Sequence, residues 1–287
     1  MTDVPSLKLS NGKEMPLIAY GLGGSTMSRT REEVVSLTTT AIKNGYCHLD
    51  GAEAYGNEDA LGQAIKESGV SRDSLFVTTK VLGTPGQDIQ VAFDVSLRKL
   101  DLDYVDLYLI HVPYLAPDEI TSMWKTMEKI QKSGRARSIG VSNFLKPHLE
   151  RILATATIIP AVNQIEYHPY LQHGDLVQFC RSSGIAVTAY STLTAITKAA
   201  PGPVDGAYDA LAQKYAVAAG DVAMRWCIDQ NIAVITTSSS EQRLQSISKN
   251  LWSFQLSEDE VGQISSLGRQ KHHRVLYNRF FAEDDRS

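Results

Sequence analysis

The chain predicts an α/β fold of the (β/α)8 (TIM) barrel type with an N-terminal β-hairpin. Short apolar, strand-like runs alternate with amphipathic stretches of helical period along nearly the whole length. Alternation of that kind implies parallel strands joined by helical crossovers, and eight of them in roughly 250 residues suit a closed barrel. No composition break or internal repeat divides the 287 residues, so residues 1–287 read as one barrel domain.

Taken in order, residues 6–18 carry Leu7 and Leu9, then Asn11-Gly12, then Met15 and Leu17. Asn-Gly between short alternating runs predicts a hairpin with a two-residue turn. The strand candidates lie near 17–21, 46–50, 75–80, 104–110, 137–141, 161–165, 185–190 and 232–236. Helical patterns occupy 31–44, 58–68, 88–100, 119–133, 147–154, 175–183 and 221–229. The stretch 192–205, centred on Ala199-Ala-Pro-Gly-Pro-Val204, falls where a barrel carries a βα loop and is expected on the substrate side. The C-terminal segment 268–287 holds His272, His273, Arg274, Tyr277, Phe280 and Phe281. It is too apolar for a free tail and is expected to lie over part of the barrel.

Composition narrows the partners. The chain is 43% hydrophobic and 21% charged, with a net charge of -4, and lacks the basic stripe that nucleic acid or an anionic membrane would require. Cys47, Cys180 and Cys227 are far apart and odd in number, which suits buried thiols in a reducing compartment. The polar N-terminus has no apolar signal core and no apolar run approaches 18 residues, so a cytoplasmic location is expected. Nothing in the pattern demands a second copy, and a monomer is compatible with it.

The chemistry sits where the apolar runs end. Asp50 follows Cys47–Leu49, Lys80 follows Leu75–Thr79, and His111 follows Val105–Ile110. Ser142-Asn143 follows Ile139–Val141, Gln164 closes Ala161–Asn163, and Tyr190-Ser191 closes Ile185–Ala189. In a barrel these positions converge on the face where active sites are built. Tyr55 lies five residues after Asp50 in a glycine-bearing turn. A tyrosine titrates near about 10 in water, too high to protonate an alkoxide readily, and a neighbouring ammonium favours the phenolate. An aspartate keeps that lysine charged and in place, and a histidine can orient a carbonyl oxygen. Asp50, Tyr55, Lys80 and His111 supply these four roles. No side chain among them is a hydride source, so a cofactor must carry it.

On these residues the chain resembles the aldo-keto reductase superfamily. The matching segments are Gly45-Tyr-Cys-His-Leu-Asp-Gly-Ala-Glu-Ala-Tyr55, Val77-Thr-Thr-Lys80, Leu107-Tyr-Leu-Ile-His111, Gly140-Val-Ser-Asn-Phe144, Asn163-Gln-Ile-Glu-Tyr-His-Pro169 and Ser257-Glu-Asp-Glu-Val261. Val234-Ile-Thr-Thr-Ser-Ser239 and the aromatic, Arg-rich C-terminus are most similar to the fungal group that reduces conjugated polyketones and ketopantoyl lactone. The resemblance implies NADPH-dependent reduction of α-diketones, keto lactones and aldehydes, with Tyr55 as proton donor, Lys80 and Asp50 as its tuners and His111 as the orienting residue. It implies that Ser142, Asn143 and Gln164 hold the carboxamide and that Tyr190 stacks on the nicotinamide ring. Further cofactor contacts are implied at Gly23, Gly24, Ser25, Asp50, Ser191, Leu193, Thr237, Ser238, Ser239, Ser240 and Arg243.

The chain departs from the family pattern at four places. Gly51 replaces a threonine, Ser25 and Val112 stand where many relatives carry tryptophan, and Thr236-Thr237 replaces a frequent Pro-Lys. Smaller groups at 25 and 112 imply a wider pocket. The missing lysine takes a cation from the 2′-phosphate site, where Arg243 still offers a fork of donors.

Other readings fit less well. Gly21-Leu-Gly-Gly24 lacks the third glycine and the spacing of a dinucleotide-binding fingerprint, and no tyrosine has lysine four residues on. His168 with His173, and His272 with His273, read as ordinary loop histidines and not as metal ligands. The alternative is an NADPH-sensing regulatory binding protein with slow turnover, resembling a channel β-subunit. Steady-state turnover with an α-diketone separates the two.

Overall fold

Alternate residues of a strand face opposite ways, and this parity organises the molecule. In the computed structural model, which describes residues 4–113, 117–277 and 286, a two-stranded hairpin of β1 (Ser6–Lys8) and β2 (Glu14–Pro16) precedes the barrel. Then come β3 (Ile18–Gly21), α1 (Arg31–Lys43), β4 (His48–Asp50), α2 (Glu58–Ser68), β5 (Phe76–Val81), α3 (Ile89–Leu100) and β6 (Val105–Ile110). The second half holds α4 (Pro117–Lys132), β7 (Ala136–Ser142), α5 (Lys146–Leu153), β8 (Val162–Glu166), α6 (Leu176–Ser182) and β9 (Ala186–Tyr190). It ends with α7 (Thr194–Thr197), α8 (Asp205–Tyr215), α9 (Ala219–Ile228), β10 (Ala233–Thr236), α10 (Glu241–Asn250) and α11 (Glu258–Gly268). Strands β3 to β10 close in sequence order, every pair parallel. The predicted α/β barrel with its N-terminal hairpin is the observed fold.

One parity of these strands fills the barrel. Phe76, Leu107, Leu109, Val162 and Ala233 pack with Leu9 and Met15 of the hairpin into an apolar plug at the amino ends of the strands. Two or four residues further along the same parity, the side chains become polar: Asp50, Lys80, His111, Ser142, Gln164 and Tyr190. Apolar filling below and polar filling above give a barrel its one reactive end. Lys80 and Gln164 sit within β5 and β8, one and two residues before those strands end.

The hairpin turn differs from expectation. The Leu9 N–H donates to Lys13 O and the Gly12 N–H to Leu9 O, with Gly12 at φ 80°. This is a three-residue loop with one left-handed glycine, since Asn11 keeps a negative φ that a two-residue turn of the primed type forbids. The Asn11 amide instead donates to Arg137 O and Ser138 Oγ, fastening the hairpin to the barrel floor.

Outside the barrel, the other parity meets the helices in a continuous apolar layer. Thr30 and Glu33 form a capping box on α1, and Ser257 and Glu260 form one on α11, each satisfying otherwise orphaned N–H groups. Helices α2 and α3 approach closely at Gly62, where a Cβ would fall 2.2 Å from Leu100 O. The stretch 192–205 is not a plain loop. It contains α7, and α8 begins at its last residue. Alanine-rich, weakly periodic sequence with Pro201 and Pro203 in front hid this helix.

Residues 271–277 lie at the carboxyl end of the barrel. The Glu166 carboxylate accepts N–H bonds from Val275 (2.8 Å) and Leu276 (3.0 Å) and faces His168 Nε2 at 3.1 Å. The His273 N–H donates to Tyr170 O. The expectation for Phe280 and Phe281 lies outside the described residues. His168 and His173, read as ordinary loop histidines, lie outside the named strands and helices, and both are buried, with His173 Nε2 2.5 Å from Glu166 O. Among the described residues no group of three or more His, Cys, Asp or Glu is placed to hold a metal ion. No helix there is long and apolar enough to cross a membrane.

Candidate active site

Strand β4 delivers Asp50 and the chain then turns at once, because Gly51 sits against Leu61 and Thr78. A Cβ there would lie 3.0 Å from Leu61 Cδ2. The 3₁₀ turn Glu53–Tyr55 follows and brings the Tyr55 hydroxyl back over β5. There the fully buried Lys80 Nζ donates to Asp50 Oδ1 at 2.5 Å and Gly51 O at 2.8 Å, and lies 3.3 Å from Tyr55 Oη. Gln164 Nε2 donates to Asp50 Oδ2 at 2.8 Å. The His111 ring stands edge-on to Tyr55, 5.6 Å between centroids at 81°. Asn57 Nδ2 donates to Leu22 O, which pins the loop after β3 beside this turn.

The electrostatics follow from burial and one charge pair. Burial alone would lower the Lys80 ammonium, but Asp50 and Tyr55 outweigh it and hold it above the usual lysine value. For Tyr55 burial pushes the hydroxyl up; Lys80 pulls it down, Asp50 pushes it up, and the net shift is upward. The expected lowering by Lys80 is present but outweighed, since the same burial that strengthens the charge interaction also penalises the phenolate. Burial, with the Lys80 charge, takes His111 from 6.5 to about 3. Its imidazole is neutral at pH 7.

Buried neutral histidines have a measurable consequence. His48, His111 and His168 are all lowered, chiefly by burial, so each takes up a proton on unfolding in acid. Their contribution to stability is complete above about pH 6.5 and is lost as pH falls toward the folded values. Urea unfolding at about pH 7 and pH 4 is expected to show a smaller loss for His111→Gln than for the wild type. Equal losses would place the acid sensitivity elsewhere.

The remaining predicted residues form two further groups. Ser142 Oγ donates to Gln164 O, the Asn143 amide donates to Ser142 Oγ and His111 O, and Tyr190 Oη donates to Asn143 Oδ1 at 2.6 Å. Asn143 and Ser191 hold left-handed backbones at φ 62° and 56°, a cost that asparagine carries more easily than most residues. These contacts fix the half-buried Tyr190 ring beside the ionic cluster. Leu193, half-buried, follows at the start of α7. On the opposite wall Gly23 stands directly over Tyr55: a Cβ would lie 2.9 Å from Cζ and 3.1 Å from Oη. Gly24 and Ser25 are exposed on the 3₁₀ turn beyond it. Of the two positions expected to widen the pocket, Val112 is buried and Ser25 is exposed.

The second group lies between β10 and α10. Tyr20 Oη donates to Ser238 O. Ser238 Oγ accepts from the Ser240 N–H, and Ser240 Oγ caps α10 by accepting from the Arg243 N–H. Two of the three serine hydroxyls are thus used by the turn itself. Thr237, Ser239 and Arg243 are exposed, and the Arg243 guanidinium has no hydrogen bond or ion pair among the described residues.

Sequence reasoning missed the Glu166 clasp and the Asn57 tie. Glu166 stands inside a quoted motif and Asn57 two residues after one, but their partners lie about 110 and 35 residues away, where no local pattern reaches.

A closed parallel barrel with a buried Asp–Lys pair against a tyrosine, at the carboxyl ends of the strands, has the architecture of a barrel enzyme. The model of the aldo/keto reductase family matches residues 18–269. The chain belongs to that family. It is 39% identical over 274 residues to the NAD/NADP-dependent indole-3-acetaldehyde reductase of Schizosaccharomyces pombe, covering 92% of this chain and 96% of that protein. It is 37% identical to the glyoxal reductase of Bacillus subtilis, covering 93% and 94%. The crystal structure of a Bombyx mori aldo-keto reductase in complex with NADP superimposes with a TM-score of 0.85 at 36% identity, covering 93% of this chain and 94% of that one.

Proposed function

We propose that the chain reduces small carbonyl compounds to alcohols with NADPH, Tyr55 donating the proton. The observation that carries this reading is the contact of a fully buried, charged Lys80 with both Asp50 and Tyr55 Oη. Bound NADPH would supply the hydride to the carbonyl carbon. Tyr55 gives its proton to the carbonyl oxygen, and Lys80 stabilises the phenolate that remains. Asp50 keeps Lys80 charged and in place. Neutral His111 meets the oxygen without competing as an acid and fixes its direction.

The residues present fit the cofactor. The missing side chain at Gly23 lets the loop after β3 close directly on Tyr55, and Tyr190, held by Asn143, would offer a fixed ring face to the nicotinamide. Ser142, Asn143 and Gln164 would hold the carboxamide. The unengaged Arg243 guanidinium, with Ser239, Thr237 and the amino end of α10, would take the 2′-phosphate. Arg243→Ala is expected to raise Kd for NADPH about tenfold or more and to leave NADH almost unchanged. Fluorescence titration with each cofactor checks this, and equal weakening of both would contradict it.

The substrate class we infer is activated carbonyls: α-diketones, keto lactones and reactive aldehydes. Ser25, exposed on the 3₁₀ turn after Gly23, would leave room for a second oxygen-bearing group. Two relatives are named for 1,2-dicarbonyls, the Bacillus glyoxal reductase and the Escherichia coli methylglyoxal reductase DkgA. A screen of NADPH consumption across diketones, keto lactones, aldehydes and sugars tests the reading. A keto lactone or diketone is expected to exceed xylose in kcat/KM, and equal values would contradict the proposed class.

A further inference from the structure

Tyr55 and Lys80 are held in register from a second direction. Glu53 opens the 3₁₀ turn that carries Tyr55, and its carboxylate leaves the turn toward the loop after β5. Glu53 Oε2 accepts from the Leu82 N–H at 2.9 Å, and both carboxylate oxygens accept from Gln87 Nε2 at 3.0 Å. Gln87 turns its other end inward: its Oε1 accepts from the N–H groups of Gly83 (2.9 Å) and Thr84 (3.3 Å). Leu82 is two residues past Lys80, and Glu53 is two residues before Tyr55.

We propose that Glu53 and Gln87 are positioning residues that set the Tyr55–Lys80 geometry. The inference rests on the proposed role of Tyr55 as proton donor. Lys80 Nζ already holds Gly51 O at one end of the segment Gly51–Tyr55. The Glu53 bond to Leu82, the residue that follows β5, holds the segment at a second point. Tied at both points, the hydroxyl has one place to stand relative to the ammonium. Without the second tie, the hydrogen bonds that remain between the segment and β5 among the described residues are those at Gly51, from Lys80 Nζ and to Thr78 O, and the Lys80 contact with Tyr55 at 3.3 Å. Loop 82–88 has no regular structure, and Gly83 and Gly86 take left-handed backbones. Gln87 is therefore what gives Glu53 a fixed partner.

The pair has a directional hydrogen-bond logic that makes the proposal testable. The carboxylate accepts from both Leu82 and Gln87, while the amide accepts from the loop and donates to the carboxylate. In Glu53→Gln, two amide nitrogens can face each other, and flipping Gln87 would turn its nitrogen onto the Gly83 and Thr84 N–H groups. In Gln87→Glu, two carboxylates face each other. The exchange Glu53→Gln with Gln87→Glu restores four of the five bonds: Gln at 53 accepts from Leu82 and donates to Glu at 87, which accepts from Gly83 and Thr84; only the second contact of the Gln87 nitrogen, with Glu53 Oε2, has no counterpart. A role in bulk packing has no such directionality.

The experiment measures kcat with a diketone, KM for NADPH and the melting temperature for wild type, both single variants, the exchanged pair and Tyr55→Phe. Each kcat is counted per NADPH site titrated by fluorescence, so unfolded protein does not enter the rate. Each single variant is expected to lose about tenfold or more in kcat, the scale of a misplaced donor and of coupled hydrogen-bonding pairs. KM for NADPH is expected to stay within about twofold, and the exchanged pair to return within about threefold of wild type. Wild-type rates per site in the single variants overturn the proposal, as does an exchanged pair no faster than the slower single variant. Tyr55→Phe separates the two levels. If it stays active, the donor assignment falls with everything built on it. If it is inactive while the Glu53 and Gln87 variants match wild type, only the positioning role falls.

Discussion

Tyr55→Phe is expected to bind NADPH as the wild type does and to reduce carbonyls about 10²–10⁴-fold more slowly, the usual contribution of a positioned acid. The substitution removes one hydroxyl and keeps the ring that packs edge-on to His111 and lies 4.9 Å from Lys80 Nζ. Gly23, which backs the ring, keeps its space. Cofactor affinity by fluorescence titration and NADPH oxidation with a diketone give the two halves of the result. Among the described residues the hydroxyl makes one hydrogen-bonding contact, at 3.3 Å, so the melting temperature is expected to change little. A variant that keeps near wild-type reduction would remove Tyr55 from the chemistry.

Lys80→Met is expected to lose activity to a similar extent and to lose stability as well. The Lys80 ammonium is fully buried and makes three polar contacts. Its removal leaves the buried Asp50 carboxylate with Gln164 as its hydrogen-bonding side chain. Stranding one member of a buried ion pair typically costs about 3–5 kcal/mol, a large fraction of the stability of an ordinary domain. The melting temperature should therefore fall well below that of Tyr55→Phe, while the rate per folded molecule falls to the same level. The wild-type contribution also has a pH window. Because Lys80 is held above its unfolded value, its stabilisation is complete below about pH 10 and fades as pH rises beyond that. A Lys80→Met protein as stable as wild type at pH 7 would show that Asp50 does not depend on this partner.

Much of this site was legible because the barrel imposes a simple rule. A strand that is apolar along its length and polar at its carboxyl end presents that polar group to the common face. Asp50, His111, Ser142 and Tyr190 obey the rule, and Lys80 and Gln164 obey it one or two residues early. The three-residue turn at Gly12 and the helix α8 were not legible. In both, local residue type is compatible with two backbones, and tertiary contacts choose between them: Asn11 with Arg137 and Ser138, and Tyr208 and Leu211 of α8 buried in the outer core. The sign of the Tyr55 shift was hidden for a related reason. A motif names the charged neighbour, but only the fold states how deeply the hydroxyl is buried. Glu53 and Glu166 act through backbone N–H groups of distant loops and Gln87 through those of its own loop, and a backbone donor has no residue type to read.

The double variant Tyr55→Phe with Lys80→Met tests the central claim most directly. If the hydroxyl and the ammonium deliver one proton as a unit, removing both costs little more than removing either, because the second loss has nothing left to act on. Rates of NADPH oxidation with a diketone, per titrated NADPH site, are expected to lie within about threefold of the slower single variant. A rate equal to the product of the two separate losses would mean that Lys80 and Tyr55 act independently, and would contradict the account.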